Sequence, residues 1–426
     1  MADSGHPPRP EDAPLAWTGT ADKASYYWLF VAYVLALLAT GVATVALALL
    51  AYDLAGEESG TVLGTALSLK MLAYIGAAPF VAVLIRHVPR KLLLIVLDLL
   101  RAGSLLVLPF VTATWQVFAL VFVFALASAI FTLVYQTVVP YLLANQDDYT
   151  RSLARSRIAS ELEASVSPLL AAGLLLAFAS RGVFVVAAVA FLLSAWLIAR
   201  MRIPQARGGR TERLMSGFLR GPRLFLATSD LRGLIALDVA VACATAMVTV
   251  NTVVIVQGLF ELDRQASAIA FAVFGFGSIL GAIALTPALR AVPDRAVMLV
   301  GAALLSVGLL AGTVIATLQG LLVVWFVIGL GTSLALTPAT YLIRRIGSPG
   351  DLQYLFAAQL SLASACLLVA YSAAGWLGAS LGLTATFALF GLVAAAASVV
   401  ASRLWPTGGR PTSDPARQPR QRPSPR

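Results

Sequence analysis

An all-α membrane protein with 12 transmembrane helices, arranged as two pseudo-symmetric bundles of six, is the fold class this sequence predicts. Three observations lead there. The 426 residues are 59% hydrophobic and 12% charged, with a mean hydropathy of +0.88, whereas soluble chains are roughly 25% charged. Several uncharged runs are too long for a single crossing of a bilayer. Lysine and arginine are divided unevenly between alternate loops. So little charge cannot coat water-soluble domains, which excludes a soluble enzyme, a nucleic-acid binder and a disordered scaffold together.

A helix needs about 20 apolar residues to cross a hydrocarbon core of roughly 30 Å. Residues 24–52 carry no charge and hold one such helix. Residues 102–146 form an uncharged run of 45. At helical rise that run is roughly 68 Å long, so it must fold back, near Ala113–Trp115. The same reasoning divides 296–343 near Gln319–Gly320 and 352–402 near Gly378–Gly382, where glycine eases a reversal. The predicted spans are 27–51, 61–84, 92–112, 115–141, 157–179, 182–202, 233–257, 266–289, 296–317, 320–343, 352–374 and 382–404. Arg157, Glu161 and Glu163 make the start of the fifth unusually polar. Pro140 and Pro338 are expected to end the fourth and tenth at matching places.

Of the 30 Lys and Arg, 26 fall in the termini and one set of loops, and only Arg181 and Arg264 in the other set. Lys70 and Arg101 lie within spans. Basic residues concentrate in cytoplasmic loops, so both termini are expected in the cytoplasm and the chain in the cell membrane. The expected organisation is a disordered N-terminus (1–25), a first bundle (26–202), a cytoplasmic linker (203–230), a second bundle (231–404) and a disordered basic tail (405–426). In the linker, Leu214, Met215, Phe218 and Leu219 recur at helical spacing among arginines, as in a short helix on the membrane face; a plain connector is the other reading. Gly221–Pro222 is expected to end that helix, and Ser229–Asp230 to cap the seventh span. The segment Ile85–Lys91 matches Leu289–Arg295 at an offset of 204 residues, each after the second helix of its half. Two cysteines, Cys243 and Cys366, are too few for a disulfide framework or a metal cluster. The opening residues lack a basic segment followed by a short apolar core, so no cleavable signal peptide is expected.

Six plus six helices, both ends inside, a basic central linker and basic loops after the second and eighth spans together resemble the major facilitator superfamily, over roughly residues 25–404. In that family's loop signature, Ala82 stands for the glycine, Arg86 for the aspartate and His87 for the arginine, while Arg90 and Lys91 keep the basic pair. Asp98 with Arg101 is similar to the Asp-x-x-Arg element of exporter-type members. Ser167-Pro168-Leu169-Leu170-Ala171-Ala172-Gly173 is similar to the Gly-Pro motif of antiporters, with Ser in place of Gly. The fourth span lacks the arginine that many proton-driven members carry. The resemblance implies two bundles rocking about a midplane site, with spans 1, 4, 7 and 10 lining the cavity.

Ionisable groups inside a span are candidate functional residues. Lys70 lies near the midplane of the second span, with Asp98, Glu161, Glu163 and Asp238 all toward the cytoplasmic side. It either faces the cavity, meeting an anionic substrate group or a carboxylate, or is neutral or locally hydrated. Asp98 and Arg101, spaced i, i+3, can pair on one face, or Arg101 can reach Glu163. Arg157 and Glu161 are spaced to pair. Asp238 is either a proton site or the partner of an arginine such as Arg232. Asn251 with Thr249 and Thr252, and Tyr135 with Gln136, form polar patches on the seventh and fourth spans; small polar residues also join helices. The loop residues Arg86, Arg90, Lys91, Arg290 and Arg295 orient the chain and touch anionic lipid, or gate it through carboxylates on the other bundle.

The function these features predict is a secondary transporter of a small organic molecule, with efflux favoured; a facilitator or importer, or a non-transporting scaffold or sensor, is the alternative. No phosphate-binding loop of the G-x-x-x-x-G-K-[ST] type is present, and no catalytic or metal motif. The expected partners are a small-molecule substrate, protons and the lipid bilayer, with no nucleic acid and no cofactor, and the chain is read as a monomer.

Overall fold

The computed structural model describes residues 23–143, 146–178, 180–201, 220–291, 293–347 and 352–405. Its first six helices are α1 (Lys23–Ala55), α2 (Ser59–His87), α3 (Arg90–Val107), α4 (Thr114–Leu142), α5 (Gln146–Ala177) and α6 (Ser180–Arg200). A short α7 (Arg220–Ala227) leads to α8 (Ser229–Val253), α9 (Arg264–Ala291), α10 (Asp294–Ala311), α11 (Leu318–Ile346), α12 (Leu352–Ser380) and α13 (Leu383–Leu404). Among the described residues, 11 helices are long and apolar enough to cross a membrane; α5 contributes a shorter apolar stretch, Val166–Leu175. The large exposed side chains, such as Phe110, Trp115, Val314 and Trp376, are those that lipid would cover. The chain is a multi-pass membrane protein.

The halves repeat one another contact by contact. In the first, α1 packs on α5 and α6, α2 on α4, and α3 on α4 and α6. In the second, α8 packs on α12 and α13, α9 on α11, and α10 on α11 and α13. Two seams join the halves, α2 with α12 and α5 with α9, and the same exchange of helices turns one seam into the other. The α2–α3 and α9–α10 junctions also agree. Pro89 (φ −54°, ψ 131°) and Pro293 (φ −58°, ψ 140°) each place an extended residue before the next helix, at the φ that the proline ring imposes. The side of the molecule bearing these junctions is called the basic side below.

The reversals fall close to their expected places, ahead of α4 at Thr114, of α11 at Leu318 and of α13 at Leu383. Gly382 takes φ +84°, where a side chain would be strained. Other expectations need correction. The fifth helix begins at Gln146, not near 157; its first turns carry Ser152 and Ser156 on the inward face. Pro338 lies inside α11, which runs on to Ile346. Gly221–Pro222 lies in the first turn of α7, where proline is tolerated, and the helix it was expected to end lies outside the described residues. Thr228, not Ser229, is the residue before α8, and Asp230 lies in its first turn, where a carboxylate suits the helix dipole. Leu214, Met215, Phe218 and Leu219 lie outside the described residues, as do 1–22 and 406–426.

The side opposite the basic one is sealed. Gly60, Gly64 and Ser68 recur every four residues along α2 and meet Tyr371, Ser372 and Gly375 on α12. A Cβ added at Gly64 would lie 2.5 Å from the Tyr371 carbonyl oxygen. Ser68 Oγ lies 2.7 Å from Ser372 Oγ, and the Thr61 hydroxyl donates to the Gly375 carbonyl at 3.3 Å. Small residues let backbones approach this closely within a membrane. At the rim, Arg264 of the second half pairs with Asp53 of the first at 2.6 Å.

Candidate functional site

A cavity of about 260 Å³ lies between the halves and is lined by α1, α2, α4, α5 and α12. Each helix contributes one face. On α1 the stripe is Tyr33, Leu37 and Thr40; on α5 it is Ser152, Ser156, Ser160 and Glu163; on α12 it is Phe356, Leu360, Ser364 and Leu367. All follow the three- and four-residue spacing that aligns side chains on one side of a helix. The residues from α4 (Tyr135, Gln136, Val139) and from α5 and α12 lie in the halves of those helices nearest the basic side. With the opposite side sealed, the cavity belongs to the basic side.

Tyr33 and Tyr135 stack with ring centroids 4.2 Å apart. Tyr135 Oη lies 3.0 Å from Ser156 Oγ and Tyr33 Oη 3.4 Å from Ser160 Oγ, so the aromatic pair is tied to α5. Lys70, reaching in from α2, donates to Thr44 Oγ1 at 3.1 Å. Beyond it a further space of about 20 Å³ is walled largely by Leu47, Leu67, Leu105 and Phe124, room for roughly one water. The Glu163 carboxylate lies against α1 where Gly41 leaves space: a Cβ there would be 2.6 Å from Glu163 Oε1.

Three expected site residues, Lys70, Tyr135 and Gln136, therefore share one cavity. Glu163 joins them. It was expected nearer the cytoplasmic end and away from the level of Lys70; the earlier start of α5 carries it deeper. Asp238 and Asn251 are buried elsewhere. Asp238 accepts from the Gln359 amide of α12 at 3.0 and 2.9 Å rather than from Arg232, which is exposed. Asn251 donates to the Ala374 carbonyl at 3.3 Å, so it serves the sealed side. The second-half wall of the cavity comes from α12, not from the seventh and tenth spans (α8 and α11) that the resemblance implied, because the α2–α12 seam brings α12 across.

The gating candidates divide. Asp98 pairs with Arg101, not Arg101 with Glu163, and both are almost wholly buried. Lys91 donates to the carbonyls of Ala199 and Met201, both at 2.7 Å, at the end of α6 in its own half. Arg295, its counterpart 204 residues on, pairs with Asp230, also in its own half. Arg90 is half-buried. The side chains of Arg86, Arg157, Glu161 and Arg290 lie outside the described residues. Sequence reasoning missed Tyr33, Thr40, Tyr74, Ser156 and Ser160, although the i, i+4, i+7 stripe on α1 was visible. Among the described residues, no three His, Cys, Asp or Glu stand close enough to hold a metal.

Paired six-helix halves around a cavity that carries a lysine and a glutamate define a membrane transport fold. The family model of the Major Facilitator Superfamily matches residues 29–288 and 237–426, and the chain belongs to that family. No curated protein matches the sequence. Among solved structures, the nucleoside transporter NupG superposes with a TM-score of 0.66 at 13% identity, over 89% of this chain and 99% of that one. A POT family transporter in complex with 5-aminolevulinic acid gives 0.65 at 13% identity, over 89% of this chain and 95% of that one. A mutant of the peptide transporter POT gives 0.66 at 12%, over 90% and 93%.

Proposed function

We propose that this protein is a secondary transporter that moves a small organic solute across the cell membrane by alternating access, with its basic side in the cytoplasm. The observation that carries the reading is a cavity of mixed polar and apolar lining between two matching halves, on the basic side of the closely packed α2–α12 seam. The halves are parallel repeats about an axis along the membrane normal, so rocking one against the other opens the cavity to one side as it closes it to the other. Export is the direction favoured by the Asp98-x-x-Arg101 element and by the Ser167–Gly173 segment of α5. With no nucleotide loop in the sequence, uphill movement draws on a gradient. Glu163, the carboxylate in the cavity, is the group we assign to proton coupling, in place of Asp238. A ligand or proton shifts such a system only by binding one state better than the other.

The test is flux into liposomes holding purified protein, under an imposed pH gradient, with a panel of amino acids, nucleosides, amines and organic acids. At least one solute should move faster with the gradient than without. Lys70→Ala should lower that flux by about tenfold or more. Glu163→Gln should lose the response of flux to pH. If no solute moves, transport is wrong; if flux ignores the gradient in the unaltered protein, coupling is wrong.

A further inference from the structure

We infer that the cavity selects a compact zwitterion, taken up with its anionic group leading and its cationic group trailing; this rests on the transport reading above. The argument is the order of two charges along α1. Lys70 Nζ lies beside Thr44, whereas the Glu163 carboxylate lies beside Gly41. Three residues of helix separate these neighbours, about 4.5 Å of rise. Because α1 runs from the basic side toward the sealed side, the ammonium stands at the blind end and the carboxylate one turn nearer the mouth. The space beyond Lys70 is small and its walls are mostly apolar, so an anion entering from the mouth stops at Lys70. An ammonium carries three donor hydrogens, and Thr44 engages one among the described residues.

Size and shape narrow the class further. A volume of about 260 Å³ is many times the roughly 10–15 Å³ that one water needs, so the cavity has room for a small organic solute. The walls differ in chemistry. Both described charges and the Tyr33–Tyr135 stack come from the first half, while α12 of the second half offers Phe356, Leu360 and Leu367. A solute with charges on one edge and an apolar or aromatic body on the other meets both walls. Amino acids with large apolar side chains and short amphoteric derivatives have this form.

Counterflow in liposomes decides it. The panel is L-phenylalanine, L-leucine and alanylalanine, each beside its acid-only and amine-only analogues, with uridine and adenosine as uncharged solutes. The unaltered protein should prefer at least one zwitterion to both of its singly charged analogues by about tenfold. Lys70→Gln should erase the preference over the amine-only analogue and keep that over the acid-only one. Glu163→Gln should do the reverse. Ratios within one variant do not depend on how much of it folds. If nucleosides or singly charged solutes move as well as every zwitterion, or if both variants slow all solutes alike, the zwitterion assignment is overturned and transport stands. If nothing moves, both fall together.

Discussion

Arg101 shows how a single residue is held inside the bilayer. It pairs with Asp98 one turn away on α3, and Ser194 of α6 donates to the other Asp98 oxygen at 2.7 Å. The guanidinium lies 4.0 Å from the Phe131 ring centroid and 4.5 Å from that of Phe191. Three helices of the first half, α3, α4 and α6, thus meet on one ion pair, outside the cavity. Removing one partner of a buried pair leaves the other charge uncompensated, at about 3–5 kcal/mol. Asp98→Ala should therefore lower the unfolding midpoint of the detergent-purified protein by several degrees. Asp98→Ala with Arg101→Leu should recover part of the loss, because neither charge then remains alone. Equal midpoints for the single variant and the unaltered protein would mean that water reaches the pair. Lys70 differs in kind: its neighbours are a hydroxyl and a cavity, so its loss should be felt in flux before stability.

At the scale of the helix, polarity is a poor guide to what faces the cavity. Thr40 donates to Ala36 of its own helix at 2.8 Å and Ser160 to Ser156 at 3.2 Å. A hydroxyl satisfied this way sits as readily against lipid or core as against a cavity, which is why the α1 and α5 stripes were not singled out. Lys70 was legible because a lysine has no such refuge near the midplane. Asp238 misled for the opposite reason: Gln359, which satisfies it, lies 121 residues away. The α2–α12 seam is likewise invisible in sequence until α12 is set beside α2. It makes a sharp demand, since at Gly64 a Cβ would meet the Tyr371 carbonyl. Gly64→Leu should wedge the seam and favour the state open on the sealed side. In a background lacking Cys243 and Cys366, Ser68→Cys should then react with an impermeant thiol reagent roughly tenfold faster from that side. Unchanged labelling would mean that the seam is not the closure.

For the whole molecule, the fold was legible because a bilayer allows few solutions. Uncharged runs of set length give the spans, and the repeat around Pro89 and Pro293 gives the two halves. What the spans could not show was the pairing of helices across the halves, and with it which second-half helix walls the cavity. Orientation rests on arginine counts, and the structure adds a reason to test it. α1 starts, and α6 and α13 end, on the basic side, where Lys91 holds the end of α6 and the Trp405 indole donates to the Asp230 carbonyl at 2.9 Å. The start of α1, the end of α6 and the end of α13 thus share one side. Three single cysteines, introduced before Lys23, near residue 210 and after Trp405, should all resist an impermeant reagent in intact cells and react once the cells are opened. Arg181 and Arg264 stand on the other side, so a cysteine replacing Arg181 should react without opening. Any one of the first three reacting in intact cells would break the even count of crossings, and with it the pair of parallel halves on which alternating access depends.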